Sequence, residues 1–175
     1  MRRISLLTCI CVLAIAVPAA AETATLTVTA TVDSSYSVTL NTGNSTLSGS
    51  GTNAATLALG TIQRFGGAST TNGFSRATGV GNYTYSATGA FSIQVDKANS
   101  ASPDYALTAQ LGSAPATGTV WTLSSNTLSN SSAATLNATA GYGSPVSLDL
   151  SIQVSNSTTA AGAIGNTINF TATPN

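Results

Sequence analysis

Apolar and polar side chains alternate singly along much of this sequence, and that period of two restricts the fold more than any other feature. The clearest run covers residues 146–154, where every second residue is Val, Leu or Ile and those between are Ser, Asp or Gln. Successive side chains of a β-strand point to opposite faces, so the run predicts a strand with one buried and one solvated face. Nowhere do apolar residues recur at helical spacing for more than about one turn. The sequence therefore predicts an all-β protein.

Several other segments show the same alternation and predict further strands. The longer ones lie at residues 23–32, 36–40, 105–111, 119–123 and 168–172. Residues 57–62 predict a short buried strand, and residues 83–95 predict a hairpin that turns at Thr88 and Gly89. The glycine-rich residues 65–81 are expected to form a loop. Strands spaced about ten residues apart, about eight or nine in all, are typical of an antiparallel β-sandwich of the Ig-like or pilin-like kind.

The sequence opens with the pattern of a signal peptide. Arg2 and Arg3 precede an apolar run at residues 4–17, and small residues at 18–21 offer the site that a signal peptidase reads. The alternative is an uncleaved membrane anchor, but the run is shorter than the roughly 20 apolar residues that span a bilayer. We expect residues 1–21 to be removed. Residues 22–175 would then form a single secreted domain without a transmembrane segment, in the periplasm or at the cell surface.

Residue types that catalyse reactions or bind metals are scarce. The sequence has no His, and both of its cysteines, Cys9 and Cys11, lie in the predicted signal peptide. The common nucleophilic triads and zinc sites therefore cannot form in residues 22–175. Oxygen ligands at residues 96–104 suit only calcium, and an ion-free polar loop is the favoured interpretation. We expect no enzymatic activity, no catalytic residues, no cofactor and no bound metal.

Charge and aromatic residues limit the partners. Five basic and five acidic residues leave a net charge of zero, which argues against nucleic acid as a partner because phosphates demand basic patches. Trp121, Tyr105 and Tyr142 are candidates for contact with a carbohydrate. Trp121 alternates with Leu123 on one face of a predicted strand, which favours a place in the core instead.

The alternating segment at residues 23–32 follows directly after the predicted cleavage site. Its apolar residues share one face: Leu26, Val28, Ala30 and Val32. Two interpretations stay open at this point. The segment is either an ordinary first strand in its own sheet or a strand that is added to the sheet of a neighbour.

The two ends of the chain resemble secreted bacterial fimbrial subunits and the related spore coat protein U family. The resemblance rests on residues 24–32, on residues 57–62 and on the closing run at residues 161–173. Fimbrial subunits typically carry a Gly about fourteen residues from the end, in an alternating terminal strand that assembly partners recognise. Gly162 stands at that place. The chain departs from the family pattern in lacking its cysteine pair and in having Pro174 where an aromatic residue is usual.

The resemblance implies a fibre or surface-coat subunit that self-associates or joins neighbouring subunits, with a periplasmic chaperone as a further partner. The donor side chains would be Leu26, Val28, Ala30 and Val32. The C-terminal assembly strand would comprise Gly162, Ile164, Ile168, Phe170 and Ala172. The alternative function is a monomeric extracellular module for carbohydrate binding or adhesion, built on a self-complete sandwich.

Overall fold

A computed structural model describes residues 27–67, 69–157 and 162–175 of the chain. These residues contain ten β-strands and no helix. The strands are β1 (Ser35–Thr42), β2 (Thr70–Thr71), β3 (Phe74–Thr78), β4 (Asn82–Ala98), β5 (Tyr105–Leu111), β6 (Thr119–Leu123), β7 (Asn126–Thr127), β8 (Ala134–Ala140), β9 (Val146–Ser155) and β10 (Ile168–Pro174).

The strands form two antiparallel sheets that face each other. Seven strands make the larger sheet in the order β2-β3-β4-β9-β6-β7, with β1 also paired to β4. The smaller sheet has the order β10-β5-β8. The inward side chains of both sheets, such as Leu107 on β5 and Ile93 on β4, are completely buried in one shared hydrophobic core. The all-β, antiparallel sandwich that the alternation predicts is therefore confirmed.

Alternation located the strands of the core well. Strands β5 and β6 begin and end at the predicted residues, and β9 extends the run at 146–154 by a single residue. Along β9 the residues alternate in burial as well as in polarity, from Leu148 at 1% exposed to Val154 at 2%. Strand β10 also begins at the predicted Ile168 and runs two residues past the predicted end.

The predicted hairpin at residues 83–95 is wrong, because these residues belong to one continuous strand. Strand β9 pairs with both halves of β4, and the register shifts between Ala87 and Phe91. The extra residues form a bulge that side chains from elsewhere hold in place. Asp149 Oδ1 accepts a hydrogen bond from the Gly89 amide at 2.6 Å, and Asn44 Nδ2 donates to the Thr88 carbonyl at 2.8 Å. These contacts fix a bend where the sequence suggested a turn.

Two further expectations are corrected between β1 and β4. Residues 57–62 form no strand, and Leu57, Leu59 and Ile62 are half-buried rather than buried. Residues 65–81, expected to be a loop, contain β2 and β3. Strand β3 pairs with the first half of β4 and is anchored by Phe74, which is completely buried. Burial of the one large side chain in this glycine-rich stretch stabilises the strand more than the glycines favour a loop.

The chain divides into two units, residues 1–31 and 32–175. In the first unit the described residues are 27–31, and they lie outside any strand. In the second unit, residues 32–34 precede β1 and also lie outside any strand. The strand predicted at residues 23–32 is therefore wrong for 27–32, and residues 23–26 lie outside the described residues. An apolar face on this segment gains burial only if some other surface covers it.

Candidate functional site: an apolar groove

A groove of about 1120 Å³ cuts into the core of the sandwich. Its floor is the inward face of β6 and β9. Its two walls are the segments at residues 55–65 and 162–170. The apolar side chains of the floor and the walls include Trp121, Leu150, Ile152, Val154, Leu57, Leu59, Ile62, Ile164, Ile168 and Phe170.

The walls of the groove are only half-buried. Leu57, Leu59, Ile164 and Phe170 pack against the core but keep part of their surface exposed, and exposed residues such as Thr61 stand between them. Inward side chains of a closed sandwich are covered by the opposite sheet. The hydrophobic core of this domain is therefore open to solvent along the groove.

The first wall, residues 55–65, is held by side chains rather than by a neighbouring strand. Thr71 Oγ1 donates to the Leu59 carbonyl at 2.9 Å, and Asn72 Nδ2 donates to the Ala58 carbonyl at 3.1 Å. Arg76 Nη1 donates to the carbonyl of Gln63 at 2.8 Å. These hydrogen bonds hold the wall in place although no described strand pairs with residues 57–65.

The second wall ends in a strand with a free edge. Among the described strands, β10 pairs with β5 alone and is the outermost strand of the smaller sheet. Its Phe170 ring lies 5.9 Å from the Phe91 ring in an edge-to-face arrangement, which ties the strand to the opposite sheet. The unpaired side of an edge strand presents backbone donors and acceptors that a further strand can use.

Trp121 is the largest side chain of the groove floor and is 7% exposed. Its indole Nε1 is buried and has no hydrogen-bond partner among the described residues. A buried indole N–H usually finds an acceptor. The Trp121 N–H is therefore an unpartnered donor inside the core beneath the groove.

The predicted donor residues lie outside the sheets. Val28 is 80% exposed and Val32 is 71% exposed, and Ala30 is exposed as well. Leu26 lies outside the described residues.

The predicted C-terminal assembly residues fall into two groups. Ile164, Ile168 and Phe170 line the groove, and so does the backbone of Gly162. Only the residues from Ile168 onwards form the strand, in which Ala172 is also half-buried against the core. Ile164 belongs to the wall segment that precedes the strand.

The carbohydrate candidates do not form a single surface. The Tyr105 and Tyr142 rings lie 5.1 Å apart, and the Lys97 ammonium stands 4.7 Å from the centre of the Tyr142 ring. Tyr105 is 0% exposed and therefore offers no free ring face to a sugar. Trp121 lies apart from both tyrosines, in the groove floor.

Burial changes the acidity of one member of the tyrosine cluster. The pKa of the Tyr105 phenol is raised above its usual value mainly by desolvation, with the neighbouring Tyr142 and the Asp96 carboxylate adding to the effect. Its hydroxyl has no hydrogen-bond partner among the described residues. Both facts describe a phenol that stays protonated inside the core.

Three carboxylates of the described residues serve separate structural contacts. Asp96 accepts hydrogen bonds from Gln94 Nε2 at 3.0 Å, and Asp104 accepts one from the Asn175 side chain. Asp149 holds the bulge of β4. Among the described residues no group of three or more His, Cys, Asp or Glu side chains is close enough to hold a metal ion.

Sequence reasoning missed several residues of the groove. Leu47 comes from a glycine-rich stretch and yet lines the groove, and Arg64 and Phe65 stand at its rim. The sequence does contain one sign of them, since Leu47 and Phe65 are apolar residues that stand among polar residues and glycines. A lone Leu or Phe among Gly, Ser and Thr residues has no local reason to be apolar, so a distant packing partner is the natural explanation.

Comparison with known proteins adds no relative. No protein-family model matches the chain, and neither a curated protein nor a solved structure matches it significantly. The described residues include no helix that is long and apolar enough to cross a membrane.

Proposed function

We propose that the protein is a non-enzymatic structural subunit of the cell surface, of the fimbrial or surface-coat kind, that assembles by β-strand addition. The observation that carries this proposal is the open groove beside the free edge of β10. A strand laid in the groove would cover the half-buried walls and give β10 a second backbone partner. Backbone pairing supplies affinity in such additions, and alternate side chains in pockets supply specificity.

The segment at residues 23–32 is the natural occupant. Its alternation places Leu26, Val28, Ala30 and Val32 on one face, and the exposure of Val28 and Val32 leaves that face available. Each large aliphatic side chain that becomes buried contributes roughly 1.5–3 kcal/mol. Three such residues, together with the backbone hydrogen bonds of one strand, suffice for a stable junction between two copies.

Export and assembly are linked by the same groove. A subunit whose core stays open before assembly would gain from protection until a neighbour arrives. A periplasmic chaperone that covers the groove would provide it. This partner follows from the resemblance to fimbrial subunits and from the open core.

The test is a denaturing gel of cell-surface extract, probed for this protein, with and without boiling. A strand must leave its groove before a junction dissociates, so we expect a ladder of polymers in cold detergent that collapses to one band on heating.

Two matched variants make the test specific for the segment. Val28→Asp places a charge on the apolar face and is expected to abolish the ladder, because an unpaired carboxylate cannot enter an apolar groove. Thr29→Asp changes the neighbouring residue on the opposite face and is expected to preserve it. A single band for the unsubstituted chain in both lanes would instead favour the monomeric binding module.

A further inference from the structure

We propose that the groove binds a fatty acid, with the alkyl chain between its apolar walls and the carboxylate against Arg64 and Asn156. This inference goes beyond the proposed function, because it concerns the groove of an unassembled chain and does not depend on strand addition. It follows from the apolar lining of the groove, from unpartnered polar atoms at one of its ends and from the distribution of charge.

Apolar side chains line the groove on both sides. Leu57, Leu59 and Ile62 stand in one wall, and Ile164 and Phe170 stand in the other. All five are half-buried, so each keeps apolar surface that a ligand can cover. The groove volume of about 1120 Å³ slightly exceeds the roughly 300–1,000 Å³ that is usual for a small-molecule site. An alkyl chain laid between the walls would remove this surface from water, which is favourable in proportion to the area covered.

The lining becomes polar at one end of the groove. Leu150, Ile152 and Val154 alternate along β9 and belong to the groove floor. Asn156 is the next residue of this alternation and lines the groove as well. The six residue steps from Leu150 to Asn156 span about 20 Å of extended chain. The lining thus changes from aliphatic side chains to a carboxamide over a length that suits an extended fatty acid.

Arg64 stands at the same end of the groove as Asn156, because both contact the short turn before β4. Arg64 Nη2 donates weakly to the Gly79 carbonyl at 3.4 Å, and the Asn156 amide donates to the Gly81 carbonyl at 2.9 Å. The Arg64 guanidinium also lies 4.8 Å from the centre of the Phe65 ring at the groove rim. This region is the arginine end of the groove.

Polar atoms at the arginine end lack partners. Arg64 Nε is buried without a hydrogen-bond partner among the described residues, and so are Nδ2 and Oδ1 of Asn156. Buried polar atoms of native proteins nearly always have a partner, because an unsatisfied one keeps its full desolvation cost. Three such atoms at one end of an apolar groove therefore point to a polar group supplied from outside the chain.

The chemistry of these atoms selects a carboxylate. A guanidinium is permanently charged, and its N–H groups bind carboxylates through charge-assisted hydrogen bonds. The Asn156 carboxamide adds a neutral donor at the same end. A carboxylate that accepts from Arg64 Nε and from Asn156 Nδ2 would satisfy two of the three atoms, and Asn156 Oδ1 would remain for water at the open mouth of the groove.

Charge along the domain agrees with an anionic head group at the arginine end. Arg76 Nη1 donates to two carbonyls of the loop that holds Arg64, at 2.8 Å each, so a second cation flanks this end. At the opposite end of β4, Asp96 and Asp33 outnumber Lys97; Asp33 lies two residues before β1, which pairs with that end. The field of the domain therefore favours a negative group at Arg64.

Titration of the purified, unassembled protein with dodecanoate tests the site, and the chain carries its own reporter. Trp121 is the only tryptophan of the sequence and belongs to the groove floor. We expect dodecanoate to change the Trp121 fluorescence saturably, and calorimetric titration to give one site per chain. Butyrate has the same head group without a long alkyl chain, and it should have no effect at the same concentrations.

Substitutions at the arginine end separate the contribution of the head group from that of the alkyl chain. Arg64→Gln is expected to raise the Kd for dodecanoate about tenfold, since a charge-assisted hydrogen bond is lost, and to leave binding of the uncharged dodecanol unchanged. Asn156→Leu should weaken dodecanoate binding about threefold. Lys97→Gln removes a cation at the opposite end and should bind dodecanoate as the unsubstituted chain does. Urea unfolding shows whether each variant is folded.

Two results would overturn the inference. One is the absence of a saturable fluorescence change with dodecanoate in the unsubstituted chain. The other is equal affinity for dodecanoate in the unsubstituted chain and in the folded Arg64 and Asn156 variants, which would remove the carboxylate from the arginine end. Either result leaves strand addition untouched, because the polymer ladder is measured separately. Absence of the ladder with dodecanoate binding intact would overturn strand addition alone.

Discussion

Tyr105 shows what burial does to a single polar group in this sandwich. Its ring is 0% exposed, and its hydroxyl has no hydrogen-bond partner among the described residues. Loss of hydration without a compensating hydrogen bond disfavours the charged phenolate most, which is why its pKa is raised. The neutral hydroxyl contributes little to stability in such a position, because replacing an unpartnered polar group by an apolar one of similar shape is close to neutral.

The raised pKa of Tyr105 predicts a loss of stability in alkali. The folded state holds the phenol proton more tightly than the unfolded state does, so the contribution is complete below the unfolded pKa of about 10 and is lost as the pH rises through the folded pKa. We expect Tyr105→Phe to change the free energy of unfolding at pH 7 by less than about 1 kcal/mol and to flatten its decline above about pH 10.

Urea unfolding at pH 7 and at pH 11 measures both effects. Tyr36→Phe serves as the control because the Tyr36 ring is 42% exposed, and it should retain the decline in alkali. If the free energy of unfolding fell equally between pH 7 and pH 11 in the unsubstituted chain and in Tyr105→Phe, the loss in alkali would not come from the Tyr105 phenol.

At the scale of elements, the bulge in β4 separates two halves of a long strand that pair with different neighbours. Strand β4 spans 17 residues; its first half pairs with β3 and its second half with β1, while β9 follows both. The bend at residues 88–90 is stabilised by Asp149, whose Oδ1 accepts from the Gly89 amide. The Asp149 amide in turn donates a hydrogen bond to Ser124 Oγ at 3.2 Å, which links the bulge to the turn after β6.

Removal of this carboxylate is expected to weaken the bulge. Asp149→Ala leaves the Gly89 amide without its acceptor and should lower the free energy of unfolding by about 1.5–3 kcal/mol, the usual contribution of a hydrogen bond to a charged group. Ser147→Ala, an outward residue on the same strand, should be nearly neutral. Urea unfolding of the two variants gives the comparison, and equal stabilities would show that β9 alone maintains the bulge.

The whole molecule combines a charge-poor surface with one incompletely covered core. Residues 22–175 contain only three basic side chains, Arg64, Arg76 and Lys97. Arg76 lies in β3 and Lys97 in β4, each paired with a neighbouring strand. Arg64 lies outside the strands beside Phe65, which is 76% exposed. The only basic residue in an exposed loop is therefore the one at the rim of the groove.

Limited trypsin digestion should report on this arrangement. Proteases cut exposed loops before paired strands, so we expect a first cut after Arg64 in the isolated protein and much slower cutting in assembled material, where Arg64 is covered. Masses of the early fragments identify the site, and Arg64→Gln should resist under the same conditions. Early cleavage after Lys97 or Arg76 would mean that the sheets open more readily than the groove rim.

Where apolar residues alternate without interruption, the sequence alone predicted the fold. Strands β5, β6 and β9 were located almost to the residue, since a period of two matches only an extended strand with one buried face. The resemblance to fimbrial subunits named Ile164, Ile168 and Phe170 as assembly residues, and these three line the groove; their part in assembly stays a prediction. The absence of His, and of Cys outside residues 1–21, limited the chemistry in the same direct way.

Tertiary structure decided which alternating segments are paired. Residues 27–32 alternate as β9 does, and residues 57–62 form an apolar run, but both lie outside the strands, while β3 forms in a glycine-rich stretch because Phe74 reaches the core. Pattern specifies which face of a strand is apolar and leaves open what covers that face. Contacts between residues far apart in sequence decide which strands pair, how Asp149 holds the bulge and where the groove at Trp121 forms. A local sequence pattern does not report the energies of such contacts.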